Sequence, residues 1–292
     1  VGPILSAASL RVDTAGVPQV DGLSLTSTGE WVLVLGAPRA LFLAAAGLQP
    51  VMRGELRVEG KPPLRAVRER LAASAPLDPP LPRGWTVRQY VTWSARLAGF
   101  TRGAAVTQAS EALSLLRLGG VAGARLSKAT VAVRRATVLA AALATGAAAI
   151  LVEDPVAGLP PETERFFARV VVRALESRRT VFFGGRVPLE SPVALAADEA
   201  LVVGGSRVEA QGAPGEIAAQ ERAFALRVAG DVQAFARSLA SRGARLLSPL
   251  DASNRGRLSV ELGDFGTREL LDIAASCDAV VLELRPLSRA FA

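Results

Sequence analysis

The chain offers few residues for chemistry. Gly36-Ala37-Pro38-Arg39-Ala40-Leu41 leaves the apolar run Trp31–Leu35 and enters a stretch of helical composition, Ala40–Leu48. A glycine turn between a buried strand and a helix is where a phosphate-binding loop sits, because backbone N–H groups and the helix N-terminus converge there on negative charge. A second candidate is the acidic pair Glu153-Asp154, which closes the apolar run Ala149–Val152. There is no histidine, which removes the commonest general base and metal ligand and any Ser-His or Cys-His nucleophile. Cys277 is the single cysteine, so a disulfide framework and a thiolate metal cluster are excluded.

Composition narrows the class. With 292 residues, half of them hydrophobic, the chain has material for one large domain and a small one. The net charge is +7, and arginine supplies all the basic residues except Lys61 and Lys128. These arginines are scattered, without the basic run or aromatic interleaving that nucleic acid favours, so no nucleic-acid partner is expected. Val1–Leu10 is short, uncharged and followed at once by strand-like sequence, so no secretory signal is expected there. The uncharged stretch Ala136–Val152 is alanine-rich, broken at Thr145-Gly146, and shorter than the about 20 apolar residues of a membrane span. It reads as a buried helix followed by a buried strand.

The elements that must position the candidates alternate. Strands are expected at Leu10–Val12, Leu23–Leu25, Trp31–Leu35, Leu56–Val58, Ala149–Val152, Thr180–Phe183 and Ala200–Val203. A proline-rich loop through Pro76 and Pro82 precedes a mainly helical stretch, Val87–Leu118, and a helix is expected over Glu162–Ser177. This pattern predicts a layered α/β domain over residues 1–219 with a largely parallel sheet. Residues 220–292 read β-α-β-β-α-β, the ferredoxin-like arrangement of a small separate α+β domain.

The order of features resembles the nucleotide-binding subunits of ATP-binding-cassette (ABC) transporters across essentially the whole chain. DGLSLTSTGEWVLVLG looks like the entry to the Walker A loop, and AGLQPVMRGELRVEG like the segment after its helix. TVRQYVTWSARLAG is similar to the start of the helical subdomain, here about residues 86–130. ILVEDPVAGLPP resembles Walker B with its D-loop, TVFFGGRVPLE the H-loop strand, and ELRPLSRAFA the closing segment of members with a C-terminal regulatory domain.

Against that family, the nucleotide contacts depart one after another. Walker A needs G-x-x-G-x-G-K-[ST], whose lysine meets the β/γ charge and whose hydroxyl holds Mg²⁺. Here Gly36, Ala37, Pro38, Arg39 and Ala40 stand in a shortened loop without the later glycines, the lysine or the hydroxyl, and Pro38 removes a donor. The adenine-stacking aromatic would fall near Thr14, and the Q-loop glutamine aligns with Leu77. The LSGGQ signature reads Leu126-Ser127-Lys128-Ala129-Thr130, or in an alternative register Ala129-Thr130-Val131-Ala132; neither holds a glycine. The Walker B acids are swapped to Glu153-Asp154, the D-loop aspartate is Pro160 and the H-loop histidine is Arg186.

The resemblance would make Glu153 a Mg²⁺ ligand and Asp154 a short general base. Without a Walker A loop, an acidic cap on a buried strand is the expected role for the pair, and Arg39 and Arg186 are expected in solvent or at an interface. Trp85, Trp93 and Phe100 are expected to pack in the core or against a partner, and Cys277 to be a small buried hydrophobe. The expectation is a pseudo-ATPase without catalytic residues, cofactor or metal. It would sit peripherally on the cytoplasmic face of the bacterial inner membrane, held by a membrane permease and paired with an ATP-competent cassette subunit. A weak, unconventional ATPase using Glu153 and Asp154 and a free-standing regulator without a membrane partner remain as alternatives.

Overall fold

Alternating burial along Leu5–Thr14 (β1) and a turn at Ala15-Gly16, both at positive φ, fold the start of the chain back into Val17–Thr26 (β2). The computed structural model describes residues 2–220, 223–247, 256–263 and 265–286. Trp31–Leu35 (β3) is buried at every position, as a strand covered on both faces must be. It leads into a seven-residue helix, Arg39–Ala45 (α1), which stops short of the expected Leu48 because Gly47 takes a left-handed φ of 70°. Arg53–Val58 (β4) returns to β1, making an antiparallel sheet in the order β2-β1-β4. Pro63–Arg68 (α2) and Ala72–Ala75 (β5) follow.

The helical insertion comprises Val87–Leu97 (α3), Arg102–Leu115 (α4) and short 3₁₀ turns at Gly119–Val121 and Leu126–Lys128. Val131–Leu143 (α5) then returns to the sheet. Thr86, Thr101 and Thr130 start α3, α4 and α5, each hydroxyl accepting a backbone N–H of the first turn, from Gln89, Ala104 and Val133. From Arg135 to Leu143 α5 is buried on every side, which explains its alanine-rich, uncharged sequence.

Ala149–Glu153 (β6), Pro161–Leu175 (α6), Arg179–Gly184 (β7), Pro192–Ala196 (α7), Glu199–Gly204 (β8) and Arg207–Gly212 (β9) complete the larger unit. Its main sheet runs β5-β6-β7-β3-β8-β9, parallel except for β9. A single apolar core that includes Leu10, Leu23, Val34, Phe42 and Leu151 joins this sheet, α1 and the antiparallel sheet.

The chain divides into two units after Pro214, not at 219/220. The division falls at the first residue of Pro214–Gln220 (α8), so most of that helix groups with the second unit. There, Ala223–Gly230 (β10), Val232–Ser241 (α9), Arg245–Leu246 (β11), Arg257–Glu261 (β12), Thr267–Ser276 (α10) and Ala279–Pro286 (β13) succeed one another. The sheet order is β11-β12-β10-β13, antiparallel throughout, over a core of Phe235, Leu239, Val260 and Leu270. Cys277 is only partly buried at the edge of this core, because it caps α10 rather than lying within it. The last six residues of the family-like closing segment lie outside the described residues.

Candidate functional site

Sheet register brings the candidate residues to one edge. Leu35 lies opposite Gly184, Glu153 opposite Phe183, and Ala75 opposite Val152, so the chain leaves β3, β5, β6 and β7 at neighbouring carboxyl ends. In open α/β sheets this edge is where ligands bind.

Gly36 follows β3 with φ +72°, and a Cβ there would lie 2.8 Å from the Val203 carbonyl oxygen. The glycine is therefore required by the backbone path itself. Its N–H donates to the carbonyl oxygens of Gly184 (3.0 Å) and Gly185 (3.1 Å). Pro38 is the N-cap of α1; it has no N–H, and its carbonyl accepts from Leu41. Ala40, Leu41 and Phe42 turn into the core, where Phe42 meets Phe183 edge-to-face at 5.4 Å.

Arg39 reaches across the strand ends to Glu153. Nε donates to Oε1 at 2.5 Å and Nη2 to Oε2 at 3.2 Å, while Nη2 also donates to the Leu77 carbonyl at 3.3 Å. The Leu77 N–H closes the ring by donating to Glu153 Oε2 at 2.7 Å. The guanidinium was expected in solvent or at an interface; its side chain is 59% exposed, and it is also tied to Glu153 and the Leu77 carbonyl. Glu153 is only 8% exposed, and a buried carboxylate needs a counter-charge and donors. Leu77, expected from the sequence at the Q-loop position, contributes through its main chain, which its side-chain type could not reveal.

Asp154, on the alternate side of the chain, lines a cleft of about 650 Å³ with Glu164, Arg165, Arg186, Val187 and Glu190. Burial pushes its carboxyl up to about 6; the Val156 and Ala157 amides and Arg135 pull it down, and Glu164 adds to the rise. The Val156 N–H donates to Oδ1 at 3.3 Å. Arg186 is exposed in the loop after β7 and makes no hydrogen bond or ion pair among the described residues.

Arg135 on α5 escaped the sequence reading. Its buried guanidinium makes a two-point pair with Asp78 (3.0 and 2.8 Å) and donates to the carbonyls of Pro155 (3.2 Å) and Ala157 (2.7 Å). The pair holds the Asp78 carboxyl below its usual range, mainly through that hydrogen bond. Leu77 and Asp78 are thus anchored in succession, one to the strand ends and one to α5. The arginine pair Arg134-Arg135, placed just before an uncharged helical stretch, was the available signal.

The remaining positions stand apart. Leu126 and Ser127 line a separate 420 Å³ cleft with Pro79, Leu81, Arg83 and Arg134. Lys128 ends the 3₁₀ turn, Ala129 is extended and Thr130 caps α5, so Val131 and Ala132 of the alternative register are already helical. Pro160 is the exposed N-cap of α6. Near Thr14, the Gln49 amide donates to the Asp13 carbonyl and to Thr14 Oγ1 (3.1 Å). Among the described residues no group of three or more His, Cys, Asp and Glu could hold a metal, and no helix is long and apolar enough to cross a membrane.

The architecture has counterparts among solved structures. Similarity to cbiO1 from Clostridium perfringens, part of the ABC transporter complex cbiONQ, has a TM-score of 0.63 at 19% identity, covering 75% of this chain and 92% of that one. The chain has the fold of an ATP-binding cassette. A nucleotide-free ATP-binding cassette from an ABC transporter is similar with TM-score 0.60 at 16% identity, over 72% of this cassette and 91% of that chain. In sequence, the cassette is 28% identical over 162 residues to the taurine import ATP-binding protein TauB of Mesorhizobium japonicum. That match covers 53% of this chain and 62% of the relative, less than two thirds of its length. No family model matches the cassette.

Proposed function

We propose that the chain is a non-catalytic cassette subunit, a pseudo-ATPase that works through the proteins it binds. The observation that carries this reading is the closed ring of Arg39, Glu153 and Leu77 where a nucleotide's phosphates and Mg²⁺ would have to enter. A Mg²⁺-bound triphosphate does not fit these residues. Both Glu153 oxygens are engaged by Arg39 and the Leu77 N–H, and the Gly36 N–H is directed back to β7. The loop carries no lysine, and Pro38 has no N–H. Isothermal titration calorimetry of the purified chain with Mg²⁺-ATP up to about 1 mM should register no binding heat. Micromolar binding would sink the reading.

The partners in this reading are a membrane permease and an ATP-competent cassette subunit, with the chain peripheral on the cytoplasmic face of a bacterial inner membrane. Supporting it are the ABC transporter complex of which the similar cbiO1 is part and the exposed apolar side chains of α3. Trp93 is 52% and Leu97 73% exposed, with Trp85 stacked edge-to-face on Trp93 at 5.9 Å. The second unit is read as a ferredoxin-like regulatory domain on its strand order β11-β12-β10-β13 and two helices. Tagged chain recovered from detergent extracts should bring down a multi-span permease; recovery without one would favour a free-standing regulator.

One observation favours a second reading. Asp154, with its carboxyl near 6 and Arg186 in the same cleft, has the character of a proton acceptor and could serve a weak ATPase. In that case Asp154→Asn would abolish a slow hydrolysis that Arg39→Ala leaves in place.

A further inference from the structure

We infer that the face of α6 turned toward α4 and α7 is a docking trough for an acidic peptide segment of a partner protein, anchored by an apolar side chain. The trough shares no residue with the Arg39–Glu153 ring, while Arg169 and Pro192 also border the Asp154 cleft.

Arg165, Arg169 and Arg173 repeat at i, i+4 and i+8 along α6, so their guanidinium groups rise from one side of the helix. Like charges at this spacing repel and weaken a helix. None of the three is ion-paired within the described residues, although Glu162 and Glu164 lie on the same helix and Glu176 caps its end. Arg165 and Arg169 border the cleft that holds Asp154, Glu164 and Glu190. With no ion pair engaging any of the three arginines among the described residues, Arg169 and Arg173 are open to anionic groups supplied from outside.

Shape narrows the kind of anion. Arg169 and Arg173 overlook a trough of about 710 Å³, bounded by Leu115 and Arg117 at the end of α4 and by Pro192 and Ala196 of α7. Its floor is apolar. Trp31 and Val170 are nearly buried beneath it, while Phe166 and Leu115 stand half-exposed at its side. Arg117 lies over the Phe166 ring at 5.9 Å, a cation–π contact that leaves its N–H groups free for an incoming carboxylate. Glu176 is the one acid among the residues lining the trough, against three arginines.

From Phe166 to Glu176 the trough runs roughly 15 Å along α6. That length matches two to three helical turns, or a short extended segment, better than a compact metabolite. A concave floor between three helices does not suit a flat lipid surface. The single half-exposed aromatic gives no ladder on which successive bases of a single strand could stack. Carboxylates pairing with the arginine row and one or two apolar side chains entering beside Phe166 satisfy both halves of the site.

The test is selection from a random dodecapeptide library on the full chain, followed by fluorescence anisotropy with the enriched peptides. Enriched sequences should carry several Asp or Glu around a Leu, Ile, Phe or Trp, and their affinity should fall as salt rises. The double variant Arg169→Glu, Arg173→Glu should weaken binding at least about tenfold. Phe166→Ala should weaken it severalfold, and Arg237→Glu on α9 should leave it unchanged. Because two glutamates could disturb α6, Arg169→Ala, Arg173→Ala is run in parallel, with circular dichroism on each variant. Failure to enrich acidic sequences, or binding by both double variants equal to that of the unsubstituted chain, overturns the proposal. So does preferential capture of phosphatidylglycerol vesicles or a single-stranded oligonucleotide through the same arginines.

Discussion

Arg39 and Glu153 bear on each other more than on solvent. Removing the guanidinium by Arg39→Ala would leave Glu153 buried with the Leu77 N–H and no counter-charge. Breaking a fully buried pair costs 3–5 kcal/mol, but the Arg39 side chain is 59% exposed, so about 2 kcal/mol is expected in urea denaturation. Adding Glu153→Gln should restore most of that loss, because it removes the stranded charge. Asp154 makes a pH-dependent prediction. Its folded carboxyl sits near 6, above the ordinary aspartate value, so the folded chain holds a proton there that the unfolded chain releases. The corresponding stability is present below about pH 4 and lost as pH rises through about 6. Asp154→Asn should flatten the stability profile between those limits and raise stability at pH 7.5 by about 1–3 kcal/mol. A thermal-denaturation series across pH on both proteins checks it, and an unchanged slope would refute it.

At the level of elements, what could be read from the sequence was whatever was apolar and continuous. Trp31–Leu35, Ala149–Val152 and Thr180–Phe183 were placed nearly to the residue, because strands buried on both faces show as unbroken apolar runs. Ala72–Ala75 was not, since Ala-Ala-Ser-Ala carries neither alternation nor β-branched side chains; its pairing with β6 makes it a strand. Arg207–Gly212 was missed for a different reason. As an exposed edge it takes its conformation from β8. The candidate site divided in the same way. Gly36, Glu153 and Asp154 were legible from their places at strand ends. The engagement of Arg39 with Glu153 links residues 114 apart, and only the sheet register brings them together. At the end of β3, Gly36→Ala combines a positive φ with a 2.8 Å clash against main chain. A loss of about 1–3 kcal/mol is expected, readable as a lowered denaturation midpoint.

For the whole molecule, fold and phosphate loop separate on the proposed reading: the layered sheets and helical insertion are kept while, on that proposal, the strand-end contacts serve the chain's own stability. A nucleotide bound only to the folded state at 100 times its Kd would add about 2.7 kcal/mol and raise the melting temperature by a few degrees. We expect Mg²⁺-ATP at about 1 mM to leave the melting temperature within one degree of the ligand-free value by differential scanning fluorimetry. The Arg39–Glu153–Leu77 ring also bears on attempts to re-engineer the chain. If the chain is the pseudo-ATPase proposed above, exchanging Arg39 alone leaves Glu153 without a counter-charge and with no phosphate site to compensate. Exchanging Glu153 first releases Leu77, and with it the chain's approach to Asp78 and α5. On that proposal, a phosphate loop would have to be installed as one block of changes, since a first exchange at either Arg39 or Glu153 loses stability before any gain in binding.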